Sequence, residues 1–281
     1  MTFNQSHVFN RSGIAALSDL QTSGWRELFA VLENEQKIFL ERESDFRSAV
    51  YKWPRDPLHT WSRIWEYPYV YYHLQRIKEQ SSSEKLEILD YGSGVTFFPF
   101  SVAKFGCGVL CVDIDPICAI DIPAAAKIIQ HRPGAVSVAL LDNGRIPVNS
   151  ESQDVVYCIS VIEHVPNFES VIDEINRVLK PRGHFILTVD IDLRGNFEMG
   201  IEGFERLQGK LKQYFVNMFP EQTVHPSNFL TTSNSPYPMM SRSPLYPIKQ
   251  ILKYIIRGQF IVGDPRAGLF LSVYSGVYSR I

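Results

Sequence analysis

The stretch Leu86–Phe100, LEILDYGSGVTFFPF, constrains the fold of this chain more than any other. An apolar run ends in an acid, two glycines follow one residue apart, and a second apolar run begins. That order reads as strand, tight turn and helix, because glycine takes backbone angles that other residues resist. A turn of this kind brings backbone amides close to whatever lies beyond the strand end.

The residues downstream repeat the rhythm. Strands are expected at Leu86–Asp90, Val109–Asp113, Val136–Leu141, Asp154–Ile159 and His184–Val189. Helices are expected between them at Thr96–Phe105, Pro123–Gln130 and Phe168–Leu179, with Pro181-Arg182-Gly183 as a turn. Short, almost wholly apolar strands alternating with helices imply a mostly parallel sheet covered on both faces. The expected fold is an α/β, Rossmann-like three-layer sandwich with a seven-stranded sheet, preceded by a helical extension. Residues 1–83 form that aromatic-rich extension or lid, and residues 84–281 form the core, with an insertion around 233–265. Within the extension, Trp25–Ser48 has helical spacing, and Trp61–Glu79 reads as a helix or two interrupted near Pro68. Late in the chain, Gly203–Phe215 is expected as a helix and Leu269–Tyr278 as a closing strand.

In such a sheet, ligands collect beyond the carboxyl ends of the strands, where the strand order reverses. Asp90, Asp113, Asp142 and Ile159-Ser160 therefore point to one crevice. The glycine loop, Tyr91-Gly92-Ser93-Gly94, invites a nucleotide cofactor. Where a dinucleotide fingerprint wants a third glycine, Phe97 stands instead, which weakens a pyrophosphate site. Asp113, ending the second strand, suits the two hydroxyls of a ribose. Asp90 would repel a pyrophosphate. It would help hold a cationic cofactor, and S-adenosyl-L-methionine, with its sulfonium and ammonium groups, is one.

Several segments then resemble the class I S-adenosylmethionine-dependent methyltransferases, with a type 11/25-like core. LDYGSG looks like their first motif and CVDID like the acidic end of their second strand. ALLDNGRIPVNSESQDVVYCISVIEHVPN and LKPRGHFILTV resemble their later strands, so the likeness covers roughly residues 84 to 190. It implies that Asp142 and Asn143 lie beside the adenine and that Ile159 and Ser160 border the methionine part. Asp90, Tyr91, Gly92, Gly94 and Asp113 complete the implied cofactor site, with Tyr91 contributing backbone. Asp142 and Asn143 have a second reading as a simple Asn-Gly turn.

Methyl transfer needs alignment and exclusion of water more than a fixed catalytic group. Where a base is required, His164 and Glu163 are the candidates, although EHV also resembles a sequence shared across varied substrates. His73 and His225 are lesser candidates. CISVIEH replaces the N-P-P-Y pattern associated with adenine and glutamine modification. The aromatics Trp61, Trp65, Tyr67, Tyr69, Tyr71 and Tyr72 either roof the site or pack the extension onto the core.

Composition narrows the rest. The 28 basic and 30 acidic residues leave a net charge of -2, without a polybasic run, which disfavours nucleic acid as partner. No apolar run has the length of a transmembrane segment, and the N-terminus lacks a secretory pattern, so a cytoplasmic location is expected. Cys107, Cys111, Cys118 and Cys158 lack metal-site spacing, and no metal is expected; Cys107 and Cys111 flank and fill a buried strand. The expected substrate is a small-molecule or lipid-like acceptor, with oxygen slightly favoured. The face of Ile248–Arg257 offers a peripheral or homo-oligomeric contact. An NAD-dependent oxidoreductase and a non-catalytic cofactor-binding partner protein are the alternatives.

Overall fold

The structure, a computed structural model, describes residues 7–195, 199–237 and 270–281. The Ile248–Arg257 face and most of the segment 233–265 lie outside these residues.

The first core strand, β2, spans Glu87–Tyr91, and β3 spans Gly108–Asp113. They are followed by β4 at Ala135–Leu140, β5 at Gln153–Ile159 and β6 at Leu179–Asp192. These five pair in parallel, with β2 between β3 and β5. The chain winds outward from β2 to β4, then returns to the other side of β2 as β5. That reversal opens a crevice at the carboxyl ends of β2 and β5.

The long β8, Leu271–Arg280, runs antiparallel to β6. Two short strands also pair with β8: β1 at Gly13–Ile14 and β7 at Phe215–Asn217. The described sheet therefore has eight strands rather than seven. The extra pairing comes from the N-terminal extension, which supplies β1 to the sheet.

Helices cover both faces. α1 (Ser23–Glu41), α2 (Arg63–Gln80), α3 (Phe98–Ala103) and α4 (Cys118–Ala126) pack one side. α5 (Phe168–Val178) and α6 (Ile201–Tyr214) pack the other. The first of these cores joins Phe9, Leu32, Trp65 and Tyr69 of the extension to Ile88 of β2, Phe98 of α3 and Tyr157 of β5. Among the described residues, no helix is long and apolar enough to cross a membrane.

Three elements differ from expectation. α2 runs unbroken through Pro68. Proline removes the amide that would bond the carbonyl four residues earlier, and the Trp25 indole donates to that carbonyl, of Ile64, at 2.8 Å. α4 begins at Cys118, ahead of Pro123, because Asp115 takes the Ile117 amide at 3.0 Å and starts the turn early. β6 starts before the expected turn: Arg182 adopts a φ of 63° and the register with β5 shifts there, so the strand bulges rather than ends.

All six aromatics from Trp61 to Tyr72 are buried. Tyr67 stacks on Phe98 with ring centroids 4.7 Å apart, which joins α2 to α3. Their bulk lies in the interior, so packing is their observed role.

Candidate cofactor and methyl-transfer site

The glycine loop is fastened to the end of β3. The Gly92 amide donates to the Val112 carbonyl at 2.8 Å. Gly92 has a φ of 74° and Gly94 a φ of 53°, both in the left-handed region. Gly92 also lacks room: a Cβ there would sit 2.5 Å from a Val161 methyl. Asp113 holds the loop from the other side, with Oδ2 accepting from the Gly94 amide and Oδ1 from the Asp115 amide, both at 2.9 Å. α3 is only six residues long, so the loop backbone offers more to a ligand than the helix end does.

Asp90 lies just beneath this loop and is 5% exposed. Burial, reinforced by the negative charge of Asp113, pushes its carboxyl up to about 8, while the neighbouring Tyr157 hydroxyl pulls the other way. Asp90 is therefore largely neutral at neutral pH, and an approaching cation would draw it toward ionisation.

Asp142 and Asn143 form a tight reversal just past β4. The Asp142 amide donates to the Arg145 carbonyl at 3.0 Å, and the Arg145 amide returns a bond at 2.8 Å. Asn143 and Gly144 both have positive φ, and the Asn143 side chain donates to Asp142 at 3.0 Å. The turn duty of this pair is thus visible. Both residues are exposed, and the Leu141 amide, one position earlier, bonds the Asp113 carbonyl. Tyr91 sends its side chain into the core on the far side of the sheet, leaving only its backbone toward the loop.

Ile159 ends β5, and Ser160 follows with a φ of 45°. The Ser160 hydroxyl donates to Glu66 Oε1 at 2.5 Å, and Thr188 donates to the same oxygen at 2.5 Å. Glu66 is fully buried and pairs through its other oxygen with Arg63. Although burial opposes its charge, the Arg63 guanidinium is held charged by Glu66. This α2 cluster therefore ties the extension to the strand end that borders the crevice.

Of the two candidate bases, Glu163 faces inward and His164 is exposed. Glu163 Oε1 accepts from the Asp190 amide at 3.1 Å, while its Oε2 is buried without a partner. Burial raises the Glu163 carboxyl, against the opposing pull of His164. His73 is buried against the Phe9 carbonyl at 2.9 Å, and burial lowers its imidazole to about 3. His225 caps a short turn, accepting from the Ser227 amide at 3.3 Å. Neither belongs to the crevice. All four cysteines are buried free thiols, with Cys111 on β3 and Cys107 just before it.

The sheet order β5-β2-β3-β4 brings Asp90, Tyr91, Gly92, Gly94, Asp113, Asp142, Asn143, Ile159 and Ser160 to one edge. Sequence reasoning missed four neighbours. Glu66 and Arg63 carried one signal, an ion pair inside an otherwise apolar and aromatic run. Tyr51 and Arg47 carried none. The Tyr51 hydroxyl accepts from the Val95 amide at 3.1 Å, Arg47 donates to the Val95 carbonyl at 3.1 Å, and the guanidinium lies 4.2 Å from the Tyr51 ring centre.

Known proteins share this construction. A family profile described as a methyltransferase domain matches residues 89–187. The sterol 4-C-methyltransferase strm-1 of Caenorhabditis elegans is 30% identical over 115 residues, which cover 41% of this chain and 34% of that protein. The mitochondrial ubiquinone biosynthesis O-methyltransferase of Rattus norvegicus is 26% identical over 220 residues, 71% of this chain and 60% of that one. The chain thus spans between a third and three fifths of the length of these two relatives. A Galdieria sulphuraria structure named as a candidate sarcosine dimethylglycine methyltransferase aligns with a TM-score of 0.53 at 17% identity, covering 88% of this chain and 98% of that one. The 4+2 cyclase SpnF aligns with a TM-score of 0.50 at 16% identity, covering 96% and 98%. At such identities the two structures speak for the fold alone. Residues 89–187 of the chain thus match a methyltransferase domain, on a fold shared with solved methyltransferase structures.

Proposed function

We propose that the protein transfers a methyl group from S-adenosylmethionine to a small-molecule or lipid-like acceptor, with oxygen the favoured acceptor atom. The observation that carries this is the pair of acids around one glycine loop. Asp113 is fixed where a ribose diol would be held, and Asp90 is buried where a cationic methionine end would meet it. The ubiquinone O-methyltransferase and sterol methyltransferase names among the relatives support an acceptor of small, apolar character.

In this account the loop backbone, Asp90 and the Ile159-Ser160 strand end orient the methionine part, and Asp142 and Asn143 border the adenine. The exposed Ile114, next to Asp113, offers an apolar surface beside them. Bound cofactor supplies an electrophilic methyl on a good leaving group. The protein aligns the acceptor and excludes water. Glu163 is preferred to His164 as the group that receives the acceptor's proton. It faces inward, keeps one oxygen unpartnered, and has a carboxyl made more basic by burial.

A second reading, cofactor binding without methyl transfer, draws on the likeness to a cyclase built on the same fold. An NAD-dependent reaction is disfavoured by Phe97, which is buried and packs edge-on against Tyr67 where a pyrophosphate loop would need space. The test is incubation with methyl-labelled S-adenosylmethionine and a metabolite and lipid extract. Label transfer with stoichiometric S-adenosylhomocysteine supports methyl transfer. Saturable cofactor binding with no label transferred favours the second reading.

A further inference from the structure

Tyr157 stands in the middle of β5, directly beside Asp90 of β2 in the parallel register. Its ring is fully buried and packs edge-on against Phe98 at 5.6 Å. Its hydroxyl is also buried, outside the geometry of an ordinary hydrogen bond to any described group, with the Asp90 carboxyl beside it. A phenol that deep gives up its hydrogen bonds to water, a cost that its contact with Asp90 must offset. Phenylalanine would fill the same space without that cost, so packing alone does not explain the hydroxyl.

The hydroxyl lies next to the Asp90 carboxyl, and burial keeps the phenol protonated, so toward Asp90 it acts as donor. The other titratable groups around Asp90 are Asp113 and Cys111 of β3, Cys158 of β5 and Tyr67 of α2. Burial holds both thiols and the Tyr67 phenol in their neutral forms. Asp113 is thus the one acid of that set whose charge opposes ionisation of Asp90, and the Tyr157 hydroxyl is placed to favour it.

We propose that Tyr157 is a positioning residue for cofactor capture: its hydroxyl donates to Asp90 when Asp90 ionises against the cationic methionine end, so that binding releases a proton. The proton leaves the Asp90 carboxyl for bulk solvent. The ammonium and sulfonium of the cofactor take its place as the balancing positive charge, and the Tyr157 hydroxyl then donates to a charged rather than a neutral carboxyl, which is the stronger bond. The inference rests on the reading of Asp90 as a cofactor residue. It adds an unassigned residue and a pH signature to that reading.

The experiment is calorimetric titration of S-adenosylmethionine into wild type and Tyr157→Phe between pH 5.5 and 9, each in two buffers of different ionisation enthalpy. The neutral fragment 5′-methylthioadenosine, which lacks the amino-acid end, serves as control ligand. Wild type should release close to one proton per cofactor at pH 6.5, where the cofactor's amine is already an ammonium. That release should disappear and turn toward uptake by pH 9 as Asp90 and the free amine lose their protons, and the control should release none at either pH. Removing the hydroxyl raises the pH at which Asp90 ionises, and each unit of that rise lowers affinity about tenfold below the midpoint. Tyr157→Phe should therefore bind the cofactor several-fold more weakly at pH 6.5 and nearly normally at pH 9. The ligand's own titration cancels between the two proteins. An equal loss at every pH would mark Tyr157 as structural only and overturn the proposal, as would cofactor binding without proton release in wild type. No cofactor binding by wild type at any pH would instead overturn the proposed function itself.

Discussion

Burial sets the protonation of Asp90 and, through it, a pH dependence of stability. The native carboxyl sits at about 8, above its ordinary 3.8. Between those values the folded chain keeps a proton that the unfolded chain gives up. Stability from this group is therefore fully present below about pH 4 and is lost as pH rises through 8. Asp90→Asn should remove that slope. Urea denaturation at pH 8.5 should show the variant more stable relative to wild type than at pH 4.5, and parallel pH profiles would contradict the assignment. Asp90, Asp113 and the two glycines were legible in the sequence because strand periodicity and turn chemistry are local. Glu66 and Tyr51 were not. Glu66 meets Ser160 across 94 positions of chain and Thr188 across 122, and Tyr51 meets Val95 across 44. No local pattern encodes such pairings.

The helix α2 shows the same limit one level up. From Ile64 to Leu74 every residue is buried, so no polar face marks its period. Pro68 read as an interruption, yet the helix continues because a side chain from α1 replaces the lost bond. Trp25→Phe should leave the Ile64 carbonyl short of a donor and cost about 1–3 kcal/mol by chemical denaturation. In the double variant with Pro68→Ala, the new amide at position 68 can serve that carbonyl, so part of the loss should return. Additive effects in this cycle would contradict the link between Trp25 and Pro68. By contrast, α5 was placed to within one residue. Its apolar face, Val171, Ile172, Ile175 and Val178, is buried against the sheet while its other face meets solvent.

At the scale of the molecule, the alternation of strands and helices gave away the parallel sheet and its crevice. The closing edge was harder to read, since β1 is two residues long and pairs with a strand 262 positions away. The extension also carries much of one core and holds the buried Arg11–Asp19 ion pair, to which the Trp65 indole donates at 2.8 Å. Residues 84–281 produced alone should therefore lack a cooperative thermal transition and expose apolar surface to a hydrophobic dye. A sharp transition with intact cofactor binding would contradict an integral role for the extension.

The central claim is that Asp113 and the glycine loop hold S-adenosylmethionine. Calorimetry on wild type and Asp113→Ala, with NAD titrated in parallel, tests it most directly. Wild type should bind S-adenosylmethionine saturably at one site and give no saturable heat with NAD. Loss of charged hydrogen bonds worth about 1.5–3 kcal/mol should weaken the folded variant by roughly ten- to a hundredfold. Unchanged affinity in a folded Asp113→Ala, or saturable NAD binding with no S-adenosylmethionine binding, would contradict the account.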